Sequence, residues 1–511
     1  MDYELAIRNG VVIDGAGNPG FRTNVYIKDG RIARISRGDS GGADKIIDAA
    51  GLVVSPGFID IHQHSDHTLY GNTRCESFIH QGVTTAAVGN CGLSMAPISD
   101  RHREEIIRYN EAFTYGTKVP YDWRSFGDYL DRLDETDIGL NFWPQIGHCT
   151  LRASVMGFEM RKATEREVDL MKAVLEEAFE SGANALSTGA YAPGEWADIE
   201  ELIELSKVAA RSGGIYTTHL RRAGFSEAVE IGEKAGVPVE VAHYDGAGVA
   251  EARAKGLDIT YNSYPYHAGS SLLGQVLPIW VYESGVDAML DRLRQQGTRD
   301  KIRQESGRRD LGRSIVAHLP DERYKEYEGR TVGEIASTEN IDPVDWVCDA
   351  LLDNDGRGMY IHMNGRSEAY VFKTLRDPNQ HIMSDGWALA PYGALHVGKP
   401  HPRCYGTFPR VLGWYVRECE TIPIQEAVRK MTSAPALKMG LKDRGLLREG
   451  FCADVVVFNP RTVADRATFT DPHQYPVGVD YVIINGQVVI EKGEHTGALV
   501  GKVLRKGRER G

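Results

Sequence analysis

His62 and His64 stand one residue apart at the end of the run Pro56-Gly57-Phe58-Ile59-Asp60-Ile61-His62-Gln63-His64-Ser65-Asp66. Alternate side chains of a strand leave on one face, so both imidazoles can reach a single ion. Neutral imidazole suits zinc and similar divalent metals, and an apolar strand ending in His-x-His is a two-ligand clamp. The apolar approach and Gly57 argue against a pair of surface histidines.

Four further chemistry-bearing residues end strand-like runs. Cys91 lies between glycines in Val88-Gly89-Asn90-Cys91-Gly92, His219 ends Tyr216-Thr217-Thr218-His219, His243 ends Glu240-Val241-Ala242-His243, and Asp385 sits in Ile382-Met383-Ser384-Asp385-Gly386. Each alone is weak. Together they place four histidines, a cysteine and an aspartate at equivalent ends, a convergence expected of a metal site.

The elements that must position them alternate. Strand-like runs at 58–64, 84–91, 140–148, 185–189, 215–220, 237–244, 258–264 and 381–385 are separated by crossovers, with the clearest helical periodicity at 165–180 and 199–211. Eight such units predict an α/β fold, a (β/α)₈ barrel whose active site lies at the carboxyl ends of the strands; a doubly wound open sheet is the rival. Residues 358–363 read as a ninth strand, and the long charged stretch 277–342 as an inserted subdomain over the barrel mouth.

Both ends of the chain are short β runs broken by Asn9-Gly10, Asp14-Gly15, Asp29-Gly30 and Asn485-Gly486, dipeptides that close hairpins. Neither end has enough strands alone, which predicts a β-sandwich domain built from residues 1–56 and 431–511 around a barrel at 57–430.

The net charge of −12 argues against a nucleic-acid surface, and no basic start or long apolar run suggests a leader or a membrane span. Seven scattered cysteines point to a reducing cytoplasm. The basic stretch 502–510 reads as a solvated end.

The run through His62 and His64 resembles the signature of the metal-dependent amidohydrolase superfamily. Gly89-Asn90-Cys91-Gly92, Leu186-Ser187-Thr188-Gly189, Tyr264-Pro265-Tyr266, Ala268-Gly269-Ser270, Ser384-Asp385-Gly386, His401-Pro402-Arg403 and Tyr405-Gly406-Thr407-Phe408-Pro409-Arg410 resemble its N-acyl-D-amino-acid deacylase (D-aminoacylase) branch. The resemblance spans nearly the whole chain. It implies one or two zinc ions, with Cys91, His219 and His243 holding the tight one and His62, His64 and Asp385 facing a weaker position. Residues 183–189 contain no lysine to carry a bridging carboxylate, which leaves Cys91 as the bridging candidate. The implied reaction is hydrolysis of a small-molecule amide by metal-activated water, with Asp385 as general base and then acid. Tyr191, Tyr264 and Ser270 match substrate-contacting positions. His148 is expected in the pocket, and Asp66 in a structural hydrogen bond. Oligomeric state is left open.

Two departures bear on substrate. The branch carries a lysine two residues after the sixth-strand histidine, where this chain has Asp245; and in His219-Leu220-Arg221-Arg222-Ala223 the arginine is kept but a usual glutamate is lost. Either Arg221, Arg222, Arg366 or Arg403 replaces the missing cation, or the substrate is neutral or cationic with Asp245 as its partner. A cyclic-amide hydrolase is the alternative enzyme. The absence of Gly-x-Ser-x-Gly removes a serine hydrolase of that type, and six intact candidate ligands argue against an inactive scaffold.

Overall fold

The computed structural model describes residues 3–38, 40–306, 311–363 and 366–507. Strands Phe58–Asp60, Val83–Val88, Asn141–Pro144 with Ile146–Gly147, Ala185–Thr188, Ile215–His219, Val239–Ala242, Ile259–Ser263 and Gln380–Ile382 each pair in parallel with the next. The third strand kinks at Gln145, so its two parts serve different neighbours. The ring then closes. Asp385 N–H donates to His62 O and His64 N–H to Gly386 O, both at 2.8 Å. Beneath this seam the Asp60 carboxylate accepts from the Ser384 N–H at 3.1 Å and from its hydroxyl. A closed barrel, not an open sheet, is what these bonds build.

The crossover helices follow ordinary capping rules. Glu165–Ser181 starts with a capping box between Thr164 and Glu167, ends at Gly182 with φ of 118°, and buries Met171, Leu175, Ala178 and Phe179. Ile199–Arg211 starts on the Asp198 carboxylate, which accepts from the Glu201 N–H.

Between the seventh and eighth strands the chain makes a long excursion. Gly269–Leu272 and Ile315–His318 both pair antiparallel with Met359–His362, and the excursion also contains helices, among them Gly285–Leu293 and Pro343–Asp353. The ninth strand-like run therefore belongs to this excursion and not to the barrel.

The two chain ends meet where Val53–Pro56 pairs antiparallel with Val455–Phe458. Hydrogen bonding joins nine strands in one sheet rather than two separate ones, eight of them along a single path and Ala43–Asp48 branching from it, because Tyr3–Val12 pairs with Ala43–Asp48 along its first part and with Val53–Pro56 near its end. A core including Leu5, Ile7, Val25, Ile27, Val455 and Val457 is shared by both ends. Asn9-Gly10 does not close a hairpin. Asn9, with φ of 65°, sits in a bulge inside the first strand, where the register against Phe21–Lys28 shifts.

The basic C-terminal stretch is not a solvated end where it is described. Leu504 N–H donates to Phe142 O at 2.7 Å, and the buried Arg505 guanidinium lies 2.7 Å from Asp131 and 2.6 Å from Asp134. Residues 508–510 of that stretch lie outside the described residues.

Candidate metal centre

Apart from Ile215–His219, whose last residue is itself in the site, the strands stop short of the site residues they aim. Phe58–Asp60 ends two residues before His62, and Cys91, His243 and Asp385 all lie just past strand ends with positive φ: 56°, 39° and 54°. Such backbone in a non-glycine residue costs on the order of 1–3 kcal/mol each and persists only where the surroundings enforce it. At Cys91 the enforcing geometry is visible. Gly89, φ 81°, passes so close to the third strand that a Cβ would lie 2.2 Å from Gln145 O. The tight turn throws the thiol into the barrel mouth.

There, donor atoms of His62, Cys91, His243 and Asp385 all fall within 4.8 Å of one another. Cys91 Sγ is 3.3 Å from His62 Nε2 and 3.6 Å from His243 Nε2; Asp385 Oδ1 is 3.3 Å from His62 Nε2 and 3.2 Å from His64 Nε2. The His219 ring stands edge-on to that of His243 with centroids 4.4 Å apart. The structure thus brings the six residues to one place, with His64 and His219 flanking a group of four. Nδ1 of both flanking rings is buried with no hydrogen-bond partner.

Charge at this site is held ready for a cation. Burial lowers His64, His219 (to about 4) and His243, so these imidazoles are neutral, while burial and Asp385 push the Cys91 thiol well up. Burial raises the Asp385 carboxyl too, but Arg403, His243 and hydrogen bonds from His62 and His64 outweigh it and hold it well below the usual range. A buried set of nitrogen, sulfur and carboxylate donors fits a divalent metal that displaces the thiol proton.

The donors open into a cavity of about 270 Å³, also lined by Tyr191, Tyr264, Ser270 and Arg366. Tyr191 OH lies 2.9 Å from Ser271 Oγ, and Ser270 Oγ donates to Tyr360 O at 2.9 Å. Two guanidiniums lie over the Tyr264 ring, Arg366 at 5.0 Å and Arg403 at 4.9 Å, and Arg366 Nη2 also donates to His243 O at 2.7 Å.

Other candidates point elsewhere. Arg221 donates to Glu227 through two bonds of 2.9 and 2.8 Å and to Gly194 O and Ala197 O, so its fork is consumed by the scaffold. Asp245 accepts from Ala247 N–H and faces Lys373 at 3.6 Å, outside the cavity lining. Arg222 is exposed beside Glu195. His148 is fully buried, 2.7 Å from Glu201, and does not line the cavity. Asp66 is fully buried, and its Oδ1 has no hydrogen-bond partner among the described residues, so the structural hydrogen bond expected of it is not seen at that oxygen.

Ser271, Gln275, Tyr360, His362 and Trp387 also line the cavity. The first four come from the excursion, whose route over the mouth has no signal in the sequence. Trp387, stacked on His64 at 5.0 Å, follows two residues after Asp385 and could have been read from that spacing.

A family model described as the amidohydrolase family matches residues 45–296 and 349–490. A D-aminoacylase from Alcaligenes xylosoxydans xylosoxydans is 35% identical over 523 residues, covering 99% of this chain and 98% of its own. The chain belongs to the amidohydrolase family. Two solved structures share the architecture of this amidohydrolase. A D-aminoacylase studied for its binuclear metal centre superposes with a TM-score of 0.83 at 33% identity, covering 99% of this chain and 100% of that one. An N-acyl-D-glutamate deacylase from Bordetella bronchiseptica, complexed with zinc and a phosphonate inhibitor, superposes with a TM-score of 0.83 at 29% identity and the same coverage. The stretch that the family model skips, 297–348, falls within the excursion of this amidohydrolase.

Proposed function

We propose that this amidohydrolase deacylates N-acyl-D-amino acids. The observation that carries the reading is that one cavity is lined by Cys91, His243 and Asp385 of the four-donor group and by the cation Arg366. The D-configuration is supported by the relatives' names.

His62, Cys91, His243 and Asp385, with His64 and His219 beside them, would hold one or two zinc ions, the thiolate favouring zinc over harder metals. Zinc when bound polarises an amide carbonyl and lowers the pKa of water from 15.7 toward about 7. Asp385 is the residue placed to move the proton. Its Oδ2 is held by Arg403 at 2.8 Å, so Oδ1, turned toward His62 and His64, accepts the proton of the attacking water and returns it to the departing amine nitrogen. Tyr191, whose hydroxyl is oriented by Ser271, donates toward charge developing on the carbonyl oxygen. Arg366, which lines the cavity and donates through Nη2 to His243 O at 2.7 Å, supplies the positive charge that attracts the substrate carboxylate, since Asp245 cannot. Seven free thiols fit a reducing compartment, and we place the enzyme in the cytoplasm. No helix among the described residues is long and apolar enough to cross a membrane.

The test is hydrolysis of paired N-acetyl-D- and N-acetyl-L-amino acids and of amides lacking the carboxylate, with zinc content measured on the same protein. D-selective turnover, and loss of zinc in Cys91→Ala, support the reading. Activity confined to carboxylate-free or cyclic amides overturns it.

A further inference from the structure

We infer that Asn262, oriented by Glu240, is the positioning residue that sets His243 for the metal. The inference rests on the reading above that His243 is a zinc ligand, and adds what holds that ligand in place.

His243 follows the strand Val239–Ala242 with φ of 39°, a left-handed backbone that a residue with a side chain keeps only where its peptide groups are held. Both of its peptide groups are. Arg366 Nη2 donates to His243 O at 2.7 Å, and His243 N–H donates to the side-chain oxygen Oδ1 of Asn262 at 3.1 Å. The backbone carbonyl of Asn262 accepts from the next N–H, that of Tyr244, at 3.0 Å. The turn is thus fastened to the seventh strand at two successive N–H groups.

An asparagine amide can point either way, and Glu240 decides which. Thr260 and Asn262 lie two apart on Ile259–Ser263 and turn to one face. Glu240, paired with Thr260 from the sixth strand, accepts from Asn262 Nδ2 at 2.9 Å, from the Thr260 hydroxyl, and from His381 Nδ1 at 3.1 Å. Glu240, Asn262 and His381 are all buried. Burial raises the Glu240 carboxyl, but His381, Lys438 and the Thr260 hydroxyl outweigh it and hold it below the usual range. An ionised carboxylate only accepts, so Asn262 gives it the NH₂ end and presents oxygen to His243. The reverse orientation would set oxygen against oxygen and N–H against N–H in a low-dielectric interior. Neither Glu240 nor Asn262 lines the cavity, so their route to the metal is the backbone of His243. Partners that orient a ligand in this way typically change metal affinity by about 10- to 100-fold.

The test reads metal affinity and geometry rather than turnover. Zinc affinity of the full-length protein is measured by competition with a chromophoric chelator, and the visible absorption of the cobalt-substituted protein reports ligand geometry. Unfolding in denaturant is run beside both. Asn262→Leu, similar in size but without polar ends, is expected to weaken zinc binding about 10- to 100-fold and to shift the cobalt bands. The double variant Asn262→Asp with Glu240→Gln exchanges donor and acceptor. The introduced amide donates to the introduced carboxylate, which again accepts from His243 N–H, and His381 meets the amide in its other tautomer. This variant is expected to bind zinc within about threefold of the parent and to restore the parent cobalt spectrum. A folded Asn262→Leu protein with parental affinity and spectrum, whatever its unfolding midpoint, overturns the inference. So does a folded double variant that binds zinc more than about tenfold weaker than the parent, which decides the matter even where Asn262→Leu does not fold. His243→Ala tests the underlying reading separately: if it binds zinc as the parent does, the assignment of His243 as a ligand is what fails.

Discussion

Arg403 Nη1 lies 2.8 Å from Asp385 Oδ2, while Oδ1 of the same carboxylate faces His62 and His64 at 3.3 and 3.2 Å. The two oxygens have different surroundings, which makes one an anchor and the other the reactive atom. Arg403 is fully buried, reaches Ser270 O with its other nitrogen and stacks on Tyr264. Arg403→Met is expected to lower kcat at least 100-fold, because the anchored oxygen is released and Asp385 turns away from its working orientation. Breaking a buried pair on one side also costs roughly 3–5 kcal/mol, so denaturant unfolding should be run beside the kinetics. Arg403→Lys restores charge without the fork, and should recover stability more than kcat. A variant that keeps full kcat removes Arg403 from the mechanism.

The outward turn of Asp245 gives the opposite expectation. Asp245→Asn keeps the bond from Ala247 N–H and removes only a charge that faces Lys373 at the surface. Its kcat/KM on N-acetyl-D-amino acids should stay within about threefold of the parent, since exposed pairs of this kind contribute about 0–1 kcal/mol. A tenfold or larger change would show that Asp245 reaches the substrate after all.

His80 makes part of the fold acid-sensitive away from the metal centre. Its ring stacks on Tyr475 at 3.9 Å, and burial, followed by His495, lowers it from 6.5 to about 4. The folded protein therefore holds His80 neutral where the unfolded chain takes up a proton. Between pH 6.5 and 4 the unfolded state binds more protons, so stability falls as pH falls, by about 3 kcal/mol for this group at the lower end. Above pH 6.5 the group has no effect. His80→Phe keeps a ring on Tyr475 and should flatten the stability–pH slope in that window by about one proton, read from denaturant midpoints at pH 6.5, 5.5 and 4.5. An unchanged slope would place the acid sensitivity elsewhere.

What the sequence made legible follows from what each signal encodes. Strand ends with His, Cys or Asp could be read because a barrel puts every strand's carboxyl end on one face, so six residues far apart in the chain had one place to meet. Arg221 and Asp245 could not be read the same way. Both sit beside site residues in sequence, but Glu227 and Ala197 O capture one and Lys373 draws out the other, and those partners are fixed only by tertiary contacts. Gln275 and Tyr360 arrive from an excursion whose path is set by pairing between Gly269–Leu272 and Met359–His362, 90 residues apart where Ser270 meets Tyr360 O. Asn9-Gly10 failed for a local reason: positive φ serves a bulge as well as a turn, and the dipeptide does not say which.

The C-terminal stretch is where charge pattern and structure part most clearly, and it yields the last prediction. A run of lysines and arginines ordinarily reads as solvated, yet Arg505 is buried against Asp131 and Asp134 at the end of Phe126–Asp134, and the backbone of Lys502 and Leu504 bonds both sides of Phe142 in the third barrel strand. The stretch ties a helix and a strand together at the end of the barrel away from the metal centre. The aspartates are partly exposed, so removing the arginine leaves no charge stranded in the interior, and the loss comes from packing of its stem and from the two pairs. Arg505→Ala is expected to cost about 1–2 kcal/mol, seen as a lower urea midpoint, with kcat and zinc content unchanged. Truncation after Val500 removes the backbone bonds as well and should destabilise further. If the truncated protein unfolds at the parent midpoint, the stretch is a passive tail after all.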